Sequence, residues 1–223
     1  MKKLAVLIAG LMVVFTVTAQ NETEKTNPGM QTIFGKDHQP SVGWFVGLES
    51  AYTQFDERDV WMGGINFGMI LDHHLSMGLT GRGWYERDKM FYPQLTDTTG
   101  AYLEGGYGGL LLEYTLFPES VVHLSFPVLI GAGGASYVSE KEYMEWDDNE
   151  WDDNEWDSHH EVLDTDVFFV IEPAVNAEVN ILRFMRLYAG VGYRYTSGFQ
   201  MINTSDNLMN NFTAKVGLKF GKF

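Results

Sequence analysis

Two His-Leu-Ser triplets, His74-Leu75-Ser76 and His123-Leu124-Ser125, are the residues of this chain best suited by type to nucleophilic chemistry. Residues two apart share one face of an extended strand. Each triplet would therefore set an imidazole beside a hydroxyl and need only an acid to orient the histidine. Metal chemistry has thinner support. His73-His74 and His159-His160 are adjacent pairs, and neighbours in an extended chain diverge, so one ion cannot easily take both. The densest run of oxygen ligands is the tract "EWDDNEWDDNEWD", a five-residue unit written almost three times. Its acids and tryptophans are Glu145, Trp146, Asp147, Asp148, Glu150, Trp151, Asp152, Asp153, Glu155, Trp156 and Asp157. The tract lacks the alternating Asp/Asn order and glycine of an EF-hand loop. "GAGG" at 131–134 is followed by no helix, so nothing here cradles phosphate. No catalytic, cofactor or metal residue is assigned on these patterns.

The elements that must position these residues are strands. The chain of 223 residues opens with Lys2 and Lys3, an uncharged apolar run from Leu4 to Val17, and "VTA" before Gln20. That order is that of a secretory signal peptide cut after Ala19, and its apolar core falls short of the roughly 20 residues a membrane-spanning helix needs. The expected organisation is a signal peptide at 1–19, a polar periplasmic segment at 20–40 and one domain over 41–223. Cysteine is absent, so the exported chain is held by its core or by lipid and not by disulfides. The formal net charge of -15 repels nucleic acid and anionic surfaces, which sets nucleic-acid binding aside.

Period-two alternation marks eight segments, about 41–55, 60–71, 75–87, 98–116, 121–137, 162–181, 187–199 and 210–223. In 166–181 one face carries Val167, Phe169, Ile171, Pro173, Val175, Ala177, Val179 and Ile181, while the other carries Asp166, Phe168, Val170, Glu172, Ala174, Asn176, Glu178 and Asn180. A helix would instead repeat its apolar stripe every three or four residues. The joints alternate, with "DHH", "PES" and "RFMR" short and "DERD", "RDKMFYPQLTD", the acidic tract and "QMINTSDNLM" longer. Short turns at one end and loops at the other predict an all-β, eight-stranded antiparallel up-and-down transmembrane barrel, whose even strand count brings the last strand beside the first.

The faces select the membrane version, since the nearly uncharged face is expected outside and the ionic one inside. Glu49, Arg82, Glu113, Glu172, Glu178, Arg194, Lys215 and Lys219 fall on the inner face. Eight strands leave an interior just wide enough for side chains to fill. Four acids and four bases there would neutralise one another, as a dry lumen requires. The many glycines would relieve crowding in so narrow a tube. Trp44, Tyr52, Tyr85, Phe126, Tyr193 and Tyr195 suit the lipid-facing and headgroup zones.

The signal peptide, eight alternating segments, three short turns and terminal "VGLKFGKF" resemble the small eight-stranded outer-membrane barrels of Gram-negative bacteria, the OmpA/OmpX-like group. The polar lead and "VTAQ" cut look similar to Bacteroidetes examples. The resemblance implies an outer-membrane location, contact with outer-membrane lipid, and a final aromatic read by the barrel-assembly machinery. Phe223 fits that signal but is out of phase with the apolar face that ends in Phe220, so either Gly221 allows a bulge or Phe220 is the signal. The triplets resemble the His-x-Ser arrangement of lipid A deacylases, yet both lie beside short turns, at the periplasmic end, with His123 and Ser125 facing the lumen.

The leading expectation is thus a non-enzymatic barrel with a structural or surface-interaction role and no cofactor, its interior plugged by ions. A lipid A or phospholipid-modifying enzyme, and a narrow channel or small-ligand carrier, stay open as alternatives. The acidic tract is expected in an extracellular loop at about 138–161, where dense like charge favours a solvated segment. Its binding alternatives are divalent cations or a basic surface partner.

Overall fold

The structure is a computed structural model and describes residues 41–55, 58–85, 101–142, 158–202 and 204–223. The expected signal peptide at 1–19, the expected polar segment at 20–40 and the whole acidic repeat lie outside these residues. Eight strands follow in chain order: β1 (Val42–Phe55), β2 (Arg58–Leu71), β3 (Leu75–Tyr85), β4 (Ala101–Leu116), β5 (Val122–Glu142), β6 (Ser158–Leu182), β7 (Met185–Ser197) and β8 (Asn211–Lys222). Each pairs antiparallel with the next, and β8 returns to β1 from Trp44↔Lys222 to Thr53↔Thr213, closing the barrel. Closure satisfies the edge N–H and C=O groups that an open sheet would leave unpaired.

The inside–outside order is the reverse of a soluble core. Along β1 every second residue from Gly43 to Phe55 is buried, while Val42, Trp44, Val46 and Leu48 point out. Trp61, Ile65, Phe67 and Met69 continue that outer surface on β2, and Leu110, Val175, Val191 and Val216 extend it around the barrel. Trp44, Phe126, Tyr193 and Tyr195 are on this face, and Tyr52 is half-buried there, its hydroxyl donating to Asp59 at 2.5 Å. The side chain of Tyr85 lies outside the described residues. No soluble monomer sustains so continuous an apolar exterior in water.

Several boundaries differ from the sequence expectation. β2 begins at Arg58, which pairs with Phe55, so Arg58 and Asp59 of "DERD" belong to the strand and that connection is shorter than expected. β5 runs on to Glu142 and β6 begins at Ser158, so the loop expected at 138–161 shortens to 143–157. A register shift between Tyr137 and Val138 explains the misreading, because it buries Val138 and Ser139 in succession and breaks the alternation. β4 begins at Ala101, three residues later than expected, and Gly105, Gly106, Gly108 and Gly109 blur its parity without breaking its pairing.

Candidate functional site: the barrel interior

Glu49, Arg82, Glu113, Glu172, Glu178, Arg194, Lys215 and Lys219 are all buried inside the barrel, each on an inward position of its strand. The register brings them together. Glu49 pairs with Gly64, Gly64 with Arg82 and Arg82 with Tyr107, while in the other direction Glu49 pairs with Gly217 and Gly217 with Tyr188. Glycines therefore alternate with large polar residues around one ring of the barrel. A Cβ on Gly64 would meet Arg82 Cγ at 3.0 Å, and one on Gly217 would meet the Tyr188 ring and hydroxyl at 2.5 Å. The missing side chains are what let Arg82 and Tyr188 lie across the strand between them and Glu49.

Two ionic groups result. In the first, Arg82 bridges Glu49 (Nε to Oε1, 2.6 Å) and Glu172 (Nη1 to Oε1, 2.5 Å). Tyr188 donates its hydroxyl to Glu49 and Tyr107 donates its hydroxyl to Glu172, both at 2.7 Å, and Lys215 Nζ lies 3.7 Å from Glu172. In the second, Lys219 Nζ sits between Glu113 and Glu178 at 2.6 Å from each. Ser125 donates to Glu178 at 2.6 Å, and His123 Nε2 lies 3.3 Å from the other oxygen of that carboxylate. Below the first group, Thr80 donates to Asn66, whose amide donates to Tyr188. Charge-assisted bonds of this kind are about twice as strong as neutral ones, and saturating each carboxylate offsets part of its desolvation cost.

Arg194 departs from the expected acid–base pairing. It is fully buried, yet among the described residues no carboxylate lies within ion-pair distance. Its Nε donates to the Met209 carbonyl at 2.8 Å and its Nη2 to Thr53 Oγ1 at 3.1 Å, while the rings of Phe55 and Tyr107 face it. It belongs to the boundary between the ionic groups and an apolar cluster toward the long-connection end. That cluster includes Phe55, Met62, Trp84, Leu103, Tyr137 and Phe168, and the β7–β8 connection adds Phe199, Met201, Leu208 and Met209. "QMINTSDNLM" was legible as a loop; that its apolar residues turn into the barrel was not. The only signal was the presence of Met201, Leu208 and Met209 in a largely polar stretch.

Two aspartates hold that connection down. Asp164 Oδ1 accepts from the N–H of Thr165, and Asp166 Oδ1 accepts from that of Val167, on a part of β6 that extends beyond its pairing with β7. Their second oxygens accept the Ile202 N–H at 2.7 Å and the Gln200 N–H. Asp166→Asn keeps one acceptor oxygen and turns the other into a donor, so it cannot hold both amides. Amide hydrogen exchange at Gln200 is expected to accelerate about tenfold in this variant, the loss of one bond to a charged acceptor. Unchanged exchange would show that the buried Phe199 and Met201 alone hold the segment.

The chemistry set aside in the sequence is placed as follows. His74 is in the β2–β3 turn, stacked on Tyr114 with Nδ1 2.9 Å from the Thr115 carbonyl, while Ser76 is buried, so this triplet shares no face. The strand begins only at Leu75, and the period-two argument does not reach the histidine. His123 and Ser125 do share the inner face with Glu178, but both contact the carboxylate and neither contacts the other. The Ser125 hydroxyl donates to Glu178 and Glu113, and among the described residues no histidine nitrogen is bonded to it. The described residues contain no group of three or more potential ligands able to hold a metal ion. Near the first ionic group the unfilled space is about 10 Å3, room for a single water.

Arg186 was missed, because "RFMR" reads as a turn. The β7 strand begins at Met185, which makes Arg186 an inward residue at the short-connection end, with the Phe223 ring 3.9 Å from its guanidinium carbon. The β8 register against β1 runs without a shift from Thr213 to Lys222, so no bulge at Gly221 brings Phe223 outward. Phe223 packs instead against the inward cluster of Phe45, Ile70 and Leu111, while Phe220 keeps the outer face.

An apolar exterior, eight antiparallel up-and-down strands and a filled ionic interior define a transmembrane-type β-barrel of the smallest common size. Solved barrels are similar to it in structure. Neisserial surface protein A, NspA, is similar with a TM-score of 0.51 at 12% identity, over 83% of this chain and 100% of that one. The N-terminal barrel domain of Pseudomonas aeruginosa OprF has a TM-score of 0.40 at 11% identity, over 82% of this chain and 99% of that one. Ail, the attachment invasion locus protein of Yersinia pestis, has a TM-score of 0.45 at 8% identity, over 81% and 97%. No protein-family model and no curated protein matches the chain.

Proposed function

We propose that this protein is a non-enzymatic outer-membrane barrel with a structural or surface-interaction role. The observation that carries the reading is the inversion of polarity: an apolar outer surface around an interior filled by ion pairs and, above them, by an apolar cluster. Such a barrel has lipid as its solvent outside and offers no through-path among the described residues. Its useful surface is then its three long connections, at the end opposite the short turns. Residues 143–157, with the acidic tryptophan repeat, are one of them. The neisserial barrel is named a surface protein, and the same placement is proposed for this chain. In this reading Phe220, on the lipid face of β8, is the aromatic offered to the assembly machinery, with Phe223 reserved for the barrel mouth.

Protease treatment of intact cells tests the topology. Cleavage within 86–100, 143–157 and 198–210, with the short turns protected, is the expected pattern; cleavage at 117–121 would invert the orientation. The purified barrel is expected to give no steady single-channel conductance and no release of acyl chains from outer-membrane lipid. Either activity would replace this reading with a channel or an enzyme. The repeat is proposed as a solvated surface segment with weak capture of divalent cations or a basic partner as its binding role. Calorimetric titration with Ca²⁺ and Mg²⁺ separates the two, since absence of heat removes the cation.

A further inference from the structure

Among the described residues, the short-connection end holds a large recess beside a charged group that its neighbours leave incompletely satisfied. A cup of about 640 Å3 lies there, walled by Pro118 and Glu119 from the β4–β5 connection and by Ile181, Leu182 and Arg183 at the β6–β7 turn, with Arg186 lining it. Arg186 is 5% exposed, and its Nε has no hydrogen-bond partner. Its ion contact is Nη1 to Glu178 Oε2 at 3.9 Å, longer than a hydrogen bond. Glu178 is already shared, because Lys219 and Ser125 both contact its Oε1 at 2.6 Å and His123 Nε2 lies 3.3 Å from Oε2, the oxygen nearer Arg186. A buried guanidinium with an unfilled donor and an already engaged acid calls for another acceptor.

The shape and polarity of the cup describe that acceptor. Arg183 adds a second, exposed cation at the rim, Phe223 stacks on Arg186 within the lining, and Glu119, the one acidic side chain there, is exposed on the opposite connection. Ile181 and Leu182 are 46% and 48% exposed, so the recess continues onto apolar surface at the barrel's outer edge. Guanidinium groups match the paired oxygens of phosphate, and an apolar wall beside them suits a chain attached to that phosphate. We propose that this cup binds the phosphate headgroup of an anionic phospholipid from the leaflet at the short-connection end. The proposal rests on the membrane reading above for the source of the lipid, though not for the chemistry of the site.

The test uses the full-length mature barrel, refolded in a sugar-headgroup detergent that contains no phosphate, with isotope-labelled arginine. The Arg186 Nε–H resonance is followed as phosphatidylglycerol is added, and separately as inorganic phosphate is added. A saturable shift with phosphatidylglycerol, weakened at least about tenfold in Arg183→Gln, supports the proposal. A shift with both probes identifies the phosphate as the recognised group. A shift with inorganic phosphate alone overturns the lipid assignment, and no shift with either overturns the site. Arg186→Gln removes this resonance and so identifies it in the spectrum; the titrations of the unaltered protein and of Arg183→Gln decide the proposal. Because folding is verified by gel mobility before titration, a silent resonance in a folded barrel sinks this site and leaves the barrel reading standing.

Discussion

Arg82→Ala is expected to lower the stability of the barrel by about 3–5 kcal/mol, the cost of breaking a buried ion pair by removing one partner. Arg82 is the common partner of Glu49 and Glu172, and both carboxylates are buried. Without it Glu49 keeps the Tyr188 hydroxyl, and Glu172 keeps Tyr107 and the more distant Lys215. Hydrogen bonds from two phenols do not neutralise two charges in a dry interior. The measurement is the urea midpoint of the folded barrel, read from the mobility difference between folded and unfolded forms in unheated gels. Adding Glu172→Gln to Arg82→Ala should recover part of the loss, since one uncompensated charge is then gone. A loss below about 1 kcal/mol would place the pair in the range of solvent-exposed salt bridges, and the interior would have to be wet.

Gly217→Val is expected to be comparably damaging for a steric reason, at about 3 kcal/mol or more. Its Cβ would stand 2.5 Å from the Leu48 carbonyl oxygen, which is backbone of the neighbouring strand, and 2.5 Å from the Tyr188 ring and hydroxyl. The tyrosine could swing away only by abandoning its bond to Glu49. The backbone carbonyl could yield only by parting β8 from β1, the pair that closes the barrel. Gly81→Ala is the matched control. A Cβ there meets nothing within 4 Å, so the change is expected to fall within about 0.5 kcal/mol, as for surface substitutions generally. Equal urea midpoints for the two variants would mean that the glycines between the ionic residues are not there to make room.

These two sites also show what could be read from a string of residues. Alternation placed Val175 outside and Asn176 inside because a strand allows only two directions for a side chain, and so fold class and strand number followed from local pattern. Boundaries failed where local pattern is interrupted. The shift at Tyr137/Val138 hid the last residues of β5, and the two-residue link between Phe55 and Arg58 looked like a longer loop because its flanking residues are charged. The His74/Ser76 pairing failed because three turn residues separate β2 from β3 and the histidine is one of them.

Partner choice inside the barrel lay beyond the sequence altogether. That Arg82 meets Glu49 and Glu172, and that Arg194 meets a loop carbonyl and aromatic faces instead of an acid, depends on strand stagger. Residues 33 and 90 positions from Arg82 reach it only when closure brings their strands around one ring. The turning of Phe199, Met201, Leu208 and Met209 into the barrel is tertiary for the same reason: a loop has no period, so nothing local tells its apolar residues which way is in. The sequence by itself determined a tube with an apolar outside and a charged inside, because two-fold alternation is a property of one strand. Which charges touch, and which apolar residues of the β7–β8 connection turn inward, were decided only by the tertiary structure, through the register of eight strands against one another.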